Sequence, residues 1–167
     1  MGVHEHRAKG PARVRCYVVT VTDTRTEAND VSGHTARQMI ETAGHEVVGY
    51  RIISDDAPEV AALVRRIANE GLADAVILNG GTGIARRDST YEAVAGLLDK
   101  RLDGFGELFR MLSFQDIGAA AMVSRAVGGI FGKMVVFSLP GSTGAVKLAL
   151  EKLILPELGH LIGELRK

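Results

Sequence analysis

The chain reads as a single α/β domain, a mostly parallel, doubly wound sheet flanked by helices. Three observations predict this. Strand-like runs alternate with segments of helical period, the strand-like runs are continuously apolar as in strands covered on both faces, and glycine-rich turns directly follow two of them. A length of 167 residues suits one domain with room for a core. No repeat, linker or low-complexity segment divides it.

The elements follow in order. Residues 1–12 are polar and end near Pro11, so a mobile N-terminal tail is expected, leaving 13–167 as the domain. The run VRCYVVTV at 14–21 is the first strand. Residues 30–43 read as a helix closed by Gly44, and 46–53 as the second strand. Residues 57–69 carry Val60, Leu63, Val64 and Ile67 at helical spacing and stop at Gly71. The third strand, 75–78, runs straight into Gly80, Gly81, Thr82 and Gly83. Helices are expected over 90–98 and 105–113, and then a strand with a loop or hairpin within 119–131. Residues 133–139 form a last strand ending in Pro140, Gly141 and Ser142. The segment 143–165 is amphipathic and interrupted at Pro156.

Composition removes several classes of function. The chain has 20 basic and 20 acidic residues, so it lacks the basic footprint of a nucleic-acid binder. No apolar run is long enough for a membrane span. His4, Glu5, His6, Arg7 and Lys9 fill the place of a signal peptide's apolar stretch. The single cysteine, Cys16, excludes an intramolecular disulfide and a thiolate cluster, and a cytoplasmic location is expected. The five histidines lack ligand-like spacing.

In a doubly wound sheet the ligand sits beyond the carboxyl ends of the strands. Gly80, Gly81, Thr82 and Gly83 lie at such an end, where backbone amides can approach an anion. No Rossmann fingerprint is present, because Arg86 stands where the third glycine belongs. Nor is there a Walker loop around Gly132 and Lys133, where Val127 and Met134 occupy the required positions. After the glycines come Arg86, Arg87 and Asp88, then Ser89 and Glu92 at capping-box spacing. Asp88 either complements the following helix dipole or meets a ligand, and both readings stand at this point. The turn at Pro140, Gly141 and Ser142 precedes the last helical segment, so Ser142 or Thr143 reads as a cap. Two such loops on one edge point to a crevice for two anionic groups. Of Asp55 and Asp56, at least one should cap a helix. If the other shares the edge with Asp88, the pair could hold Mg²⁺, which takes few carboxylates plus substrate phosphates. Asp23 is a third carboxylate there.

Taken together, these residues resemble the MoaB/MogA family of molybdenum-cofactor biosynthesis proteins, to which the gephyrin G domain is also similar. The resemblance runs from about Val14 to Leu158 and rests on six motifs in order: Thr22-Asp23 with Asp30-Val31-Ser32-Gly33; Ser54-Asp55-Asp56; Asn79-Gly80-Gly81-Thr82-Gly83 with Arg87-Asp88-Ser89-Thr90; Gly104-Phe105-Gly106-Glu107; Ser124-Arg125; and Leu139-Pro140-Gly141-Ser142. The phrase from Gly106 to Phe114 looks like the MoaB branch, some members of which lack the two carboxylates that this chain keeps. Small departures are Asn79, where Thr is frequent, and Ser89-Thr90-Tyr91, where a branched apolar residue and Thr-Pro are common.

The resemblance implies a molybdopterin-binding-like fold and Mg²⁺-dependent adenylyl transfer from ATP to molybdopterin, with a non-catalytic pterin carrier as the alternative. It further implies a homo-oligomer, trimer or hexamer, with other molybdenum-cofactor enzymes as further partners. On this reading Asp55 and Asp88 are catalytic and hold the metal, and Gly80, Gly81, Thr82 and Gly83 cradle the nucleotide phosphates. Ser124, Arg125, Pro140, Gly141 and Ser142 take the pterin side, with Thr22, Asp23 and Ser32 as further candidates.

Overall fold

The computed structural model describes residues 10–167. Of the expected tail, residues 1–9 lie outside the described residues; Gly10 and Pro11 lie against the backbone of Gly159. A six-stranded sheet is built from β1 (Arg15–Val21), β2 (Glu46–Ile53), β3 (Ala75–Asn79), β4 (Lys100–Arg101), β5 (Val127–Phe131) and β6 (Met134–Leu139). The strand order is β2-β1-β3-β6-β5-β4. β1 pairs in parallel with β2 and β3, and β3 with β6, while β5 runs antiparallel to both of its neighbours.

The helices are α1 (Val31–Thr42), α2 (Ala57–Asn69), α3 (Thr90–Leu97), α4 (Asp103–Ile117), α5 (Thr143–Ala149) and α6 (Leu155–Leu165). Strand periodicity of two sends alternate side chains to opposite faces. Cys16, Val18, Ile77, Val135 and Phe137 pack with α1, α4, α5 and α6. Val19, Val21, Val76, Leu78 and Val136 pack with α2 and α3. Every residue of β3 and β6 is buried, which is why these runs carry no polar alternation.

Three local features differ from the sequence expectation. Gly118–Val123 is a 3₁₀ helix rather than a strand, and only Val127–Phe131 pairs, in a hairpin with β6 turned at Gly132 (φ 60°). The last helix is not broken at Pro156; a π turn over Leu150–Ile154 precedes it, and the proline falls in the first turn of α6. One wider turn accommodates the ring and the missing N–H without unwinding the helix. α4 extends to Ile117, beyond the expected end.

Candidate functional site

The loops after β1, β2, β3 and β6 leave the sheet at one edge, where the chain has moved from β1 to β2 on one side and to β3 on the other. There they enclose a cavity of about 580 Å³, within the range of small-molecule sites. Asp23, Asp55, Asp88, Arg25, Arg87 and the 80–83 loop form its polar part, and Phe109, Ile117, Ala120 and Val123 form an apolar wall.

Gly80 and Gly81 have φ of 108° and 67°, a region that favours glycine. A Cβ on Gly80 would lie 2.1 Å from Val21 O, and one on Gly81 would lie 2.1 Å from Thr90 Oγ1 and 2.7 Å from Asp55 Oδ2. The loop is therefore pressed between β1 and the start of α3. Gly80 donates its N–H to Leu139 O at 2.9 Å, so it offers no amide to a ligand. The carbonyls of Thr82 and Gly83 are taken by Arg125 at 3.0 and 2.6 Å. The N–H groups of Gly81, Thr82 and Gly83 have no acceptor among the described residues. Backbone amides without an acceptor at a strand's carboxyl end are available to an anion.

Asp55 and Asp56 divide their tasks. Asp56 caps α2 by accepting from Glu59 N at 3.3 Å. Asp55 turns to the cavity, where Oδ1 accepts from Ser89 N (3.1 Å), Ser89 Oγ (3.0 Å) and Thr90 Oγ1 (3.2 Å). The capping box expected within α3 does not form: Ser89 makes no side-chain cap, and Glu92 pairs with Arg125. A carboxylate from another loop binds the Ser89 N–H and the hydroxyls of Ser89 and Thr90 at the start of α3 instead, where the helix dipole favours negative charge. Asp88 Oδ2 accepts from Ala85 N at 3.1 Å. Each of Asp55 and Asp88 thus keeps one carboxylate oxygen without a partner among the described residues.

Arg87 forms an ion pair with Asp23, whose carboxyl is held below its usual range chiefly by that hydrogen bond. Asp23 also accepts from Asp55 N at 3.2 Å, joining the loops after β1 and β2. Among the described residues no three His, Cys, Asp or Glu side chains cluster to hold a metal ion.

Two sequence assignments need correction. Arg125 does not line the cavity. Its guanidinium binds Thr82 O, Gly83 O, Asp88 O and Glu92, so it bolts the glycine loop to α3. Ser32 is buried and lies away from the cavity; its hydroxyl donates to Asn79 Oδ1 at 2.8 Å and accepts from Arg25 Nη1 at 2.7 Å. Thr22, Asp23, Ser124, Pro140, Gly141 and Ser142 do line the cavity, and Ser142 also caps α5 by accepting from Ala145 N at 3.2 Å. Ser124 Oγ is shielded from solvent and has no hydrogen-bond partner among the described residues.

Arg25 was missed by the sequence reading. It lines the cavity and spans two loops, with Nη2 donating to Gly141 O at 3.0 Å and Nη1 3.5 Å from Asp30 Oδ1. Asp30 is fully buried. Burial alone would raise its pKa, but hydrogen bonds from Thr20 (2.6 Å), Tyr50 (2.5 Å) and Gly33 N (3.1 Å), with the charge of Arg25, outweigh this and lower it. The only sequence signal was a cation in a polar loop at the ligand edge.

Residues 17–160 match the family described as "Probable molybdopterin binding domain". Molybdenum cofactor biosynthesis protein B of Bacillus cereus is 52% identical over 168 residues, spanning 100% of this chain and 99% of that protein. The Bacillus subtilis protein of the same name is 51% identical with the same coverage. The crystal structure of the tungsten cofactor synthesizing protein MoaB from Pyrococcus furiosus superposes with a TM-score of 0.85 at 40% identity, over 94% of this chain and 99% of that one. With this match over nearly its whole length, the chain belongs to the molybdopterin-binding family of molybdenum cofactor biosynthesis proteins, in its MoaB group.

Proposed function

We propose that the protein transfers an adenylyl group from ATP to molybdopterin. The observation that carries this reading is the meeting of Asp55 and Asp88, far apart in the chain, in one cavity beside the free amides of residues 81–83. Both carboxylates keep an oxygen free of protein partners, a donor set that fits Mg²⁺ completed by substrate phosphates. When bound, Mg²⁺ would shield one phosphate from the other and neutralise charge on the departing pyrophosphate.

The residues of this chain do the rest. The amides of Gly81, Thr82 and Gly83 hold the nucleotide phosphates, and Ser124 with the turn at Pro140, Gly141 and Ser142 holds the pterin side. An oxygen of the pterin's terminal phosphate attacks the α-phosphorus of ATP, and the bond to pyrophosphate breaks. With a second pKa of about 6, that phosphate is already largely dianionic at neutral pH, so no side chain need remove a proton. The work is positioning and charge neutralisation.

Purified protein with ATP, Mg²⁺ and molybdopterin should release pyrophosphate, and Asp88→Asn should abolish release while leaving pterin binding intact. A wild-type protein that binds the pterin but releases none is a carrier, which sinks the transfer.

The same reading includes self-association into a trimer or hexamer. Phe114 and Met122 are exposed and line one apolar groove with Ala119 and Ala121 on α4 and the 3₁₀ helix, of the kind that a second copy covers.

A further inference from the structure

We infer that Arg25 is the anion anchor for the attacking phosphate of the pterin and makes the site selective for the phosphorylated substrate. The inference rests on the adenylyl-transfer reading for the identity of the substrate, but its residue was assigned no role there.

Cations at this cavity are few, and they differ in what they have left to give. Arg125 is absent from the lining and spends its donors on Thr82 O, Gly83 O, Asp88 O and Glu92. Arg87 lines the cavity but is paired with Asp23, and its side chain is 71% exposed. Arg25 is the more sheltered, with a side chain 34% exposed. Its Nη1 reaches Ser32 Oγ (2.7 Å) and Asp30 Oδ1 (3.5 Å), and its Nη2 reaches Gly141 O (3.0 Å). A guanidinium has five N–H donors in a fixed fork. The Nε–H and one Nη2–H therefore have no acceptor among the described residues. Two spare donors on one guanidinium can serve two oxygens of a phosphate.

Placement decides which phosphate. Arg25 holds the turn on the pterin side through Gly141 O. A Cβ on Gly141 would lie 3.2 Å from Gly80 Cα and 3.6 Å from Arg25 Nη2. The guanidinium thus sits where the pterin-side turn meets the loop that receives the nucleotide. The attacking phosphate must occupy that junction.

Preorganisation comes from beneath. Asp30 accepts from Thr20, Tyr50 and Gly33 N, and Ser32 donates to Asn79, so the acceptors that aim Arg25 are held by other partners without any ligand. Asp30 and Ser32 are positioning residues, and Arg25 is the group that touches substrate.

Calorimetry with molybdopterin and with its dephosphorylated form, under anaerobic conditions, tests the inference. The wild type should prefer molybdopterin. Arg25→Met should weaken molybdopterin binding by about 10- to 100-fold, the worth of charge-assisted hydrogen bonds, weaken the dephosphorylated form less because only the hold on the Gly141 turn is lost there, and leave ATP binding unchanged. Arg25→Lys, which keeps a charge beside Asp30, carries the test should the Met variant fail to fold. It should recover part of the preference, because a point charge cannot reproduce the fork. Equal loss for both pterins, or no loss for either, overturns the inference. A wild type that binds neither pterin overturns it together with the pterin reading. Normal pyrophosphate release by Arg25→Met, with an unchanged KM for molybdopterin, removes Arg25 alone and leaves the transfer standing. Conversely, lost phosphate preference in a protein that releases no pyrophosphate removes the transfer and leaves Arg25 in place.

Discussion

Gly81→Ala isolates the geometry on which the site depends, without any ligand. Gly71 and Gly81 both sit at positive φ, 61° and 67°. Around Gly71 an added Cβ meets nothing within 4 Å, whereas at Gly81 it falls 2.1 Å from Thr90 Oγ1 and 2.7 Å from Asp55 Oδ2. Gly71→Ala therefore pays only the left-handed backbone penalty, about 1–2 kcal/mol. Gly81→Ala carries that penalty and must also displace Thr90, which is fully buried. Displacement breaks the Thr90 hydrogen bond to the Asp55 carboxylate, worth about 1.5–3 kcal/mol for a charged acceptor. The expected cost is about 2.5–5 kcal/mol for Gly81→Ala against about 1–2 for Gly71→Ala. Urea unfolding at equal protein concentration reads both values. In a chain of this size the gap should also appear as roughly 2–4 °C of melting temperature per kcal/mol. Should Gly81→Ala cost no more than Gly71→Ala, the loop is not pressed against α3 as described, and the placement of Asp55 beside it fails.

Two further outcomes follow from other parts of the molecule. Phe114→Asp combined with Met122→Asp should lower the light-scattering mass of the wild-type oligomer to that of a single chain; an unchanged mass, or a monomeric wild type, refutes the covered-face reading. His45 accepts from Val14 N at Nδ1 (3.2 Å), and burial lowers its pKa from 6.5. A folded pKa below the unfolded one means that the contribution is whole above pH 6.5 and is lost as pH falls through the folded value. The wild-type melting temperature should drop across that window, and His45→Asn should flatten the drop; equal slopes would exclude His45.

The fold was legible because its signals are local. β-branched runs, helical spacing in α2 and the glycines closing α1 and α2 each speak for their own segment. Where local signals were absent the reading slipped. The sequence GAAAMV at 118–123 has neither strand alternation nor helical period, and it became a 3₁₀ helix. β4 is two residues long, too short to leave a pattern.

The site shows the reverse relation, since its residues are defined by partners distant in sequence. Ser89 and Glu92 have the spacing of a capping box, yet each bonds a residue more than thirty positions away, Asp55 and Arg125. A local cap would tie Ser89 to its own helix, whereas the bonds to Asp55 fix a second loop against the start of α3. Arg125 and Ser32 were misplaced for the same reason: a cation and a hydroxyl near a glycine loop look like ligand groups until their acceptors are known. Arg25 was overlooked because nothing in Thr22-Asp23-Thr24-Arg25 shows that Asp30 is buried behind it. A buried carboxylate requires compensation, and here Arg25 supplies part of it while itself lining the cavity. The cost of burying Asp30 is thus tied to the aim of Arg25, so a change at Asp30 should disturb stability and phosphate recognition together.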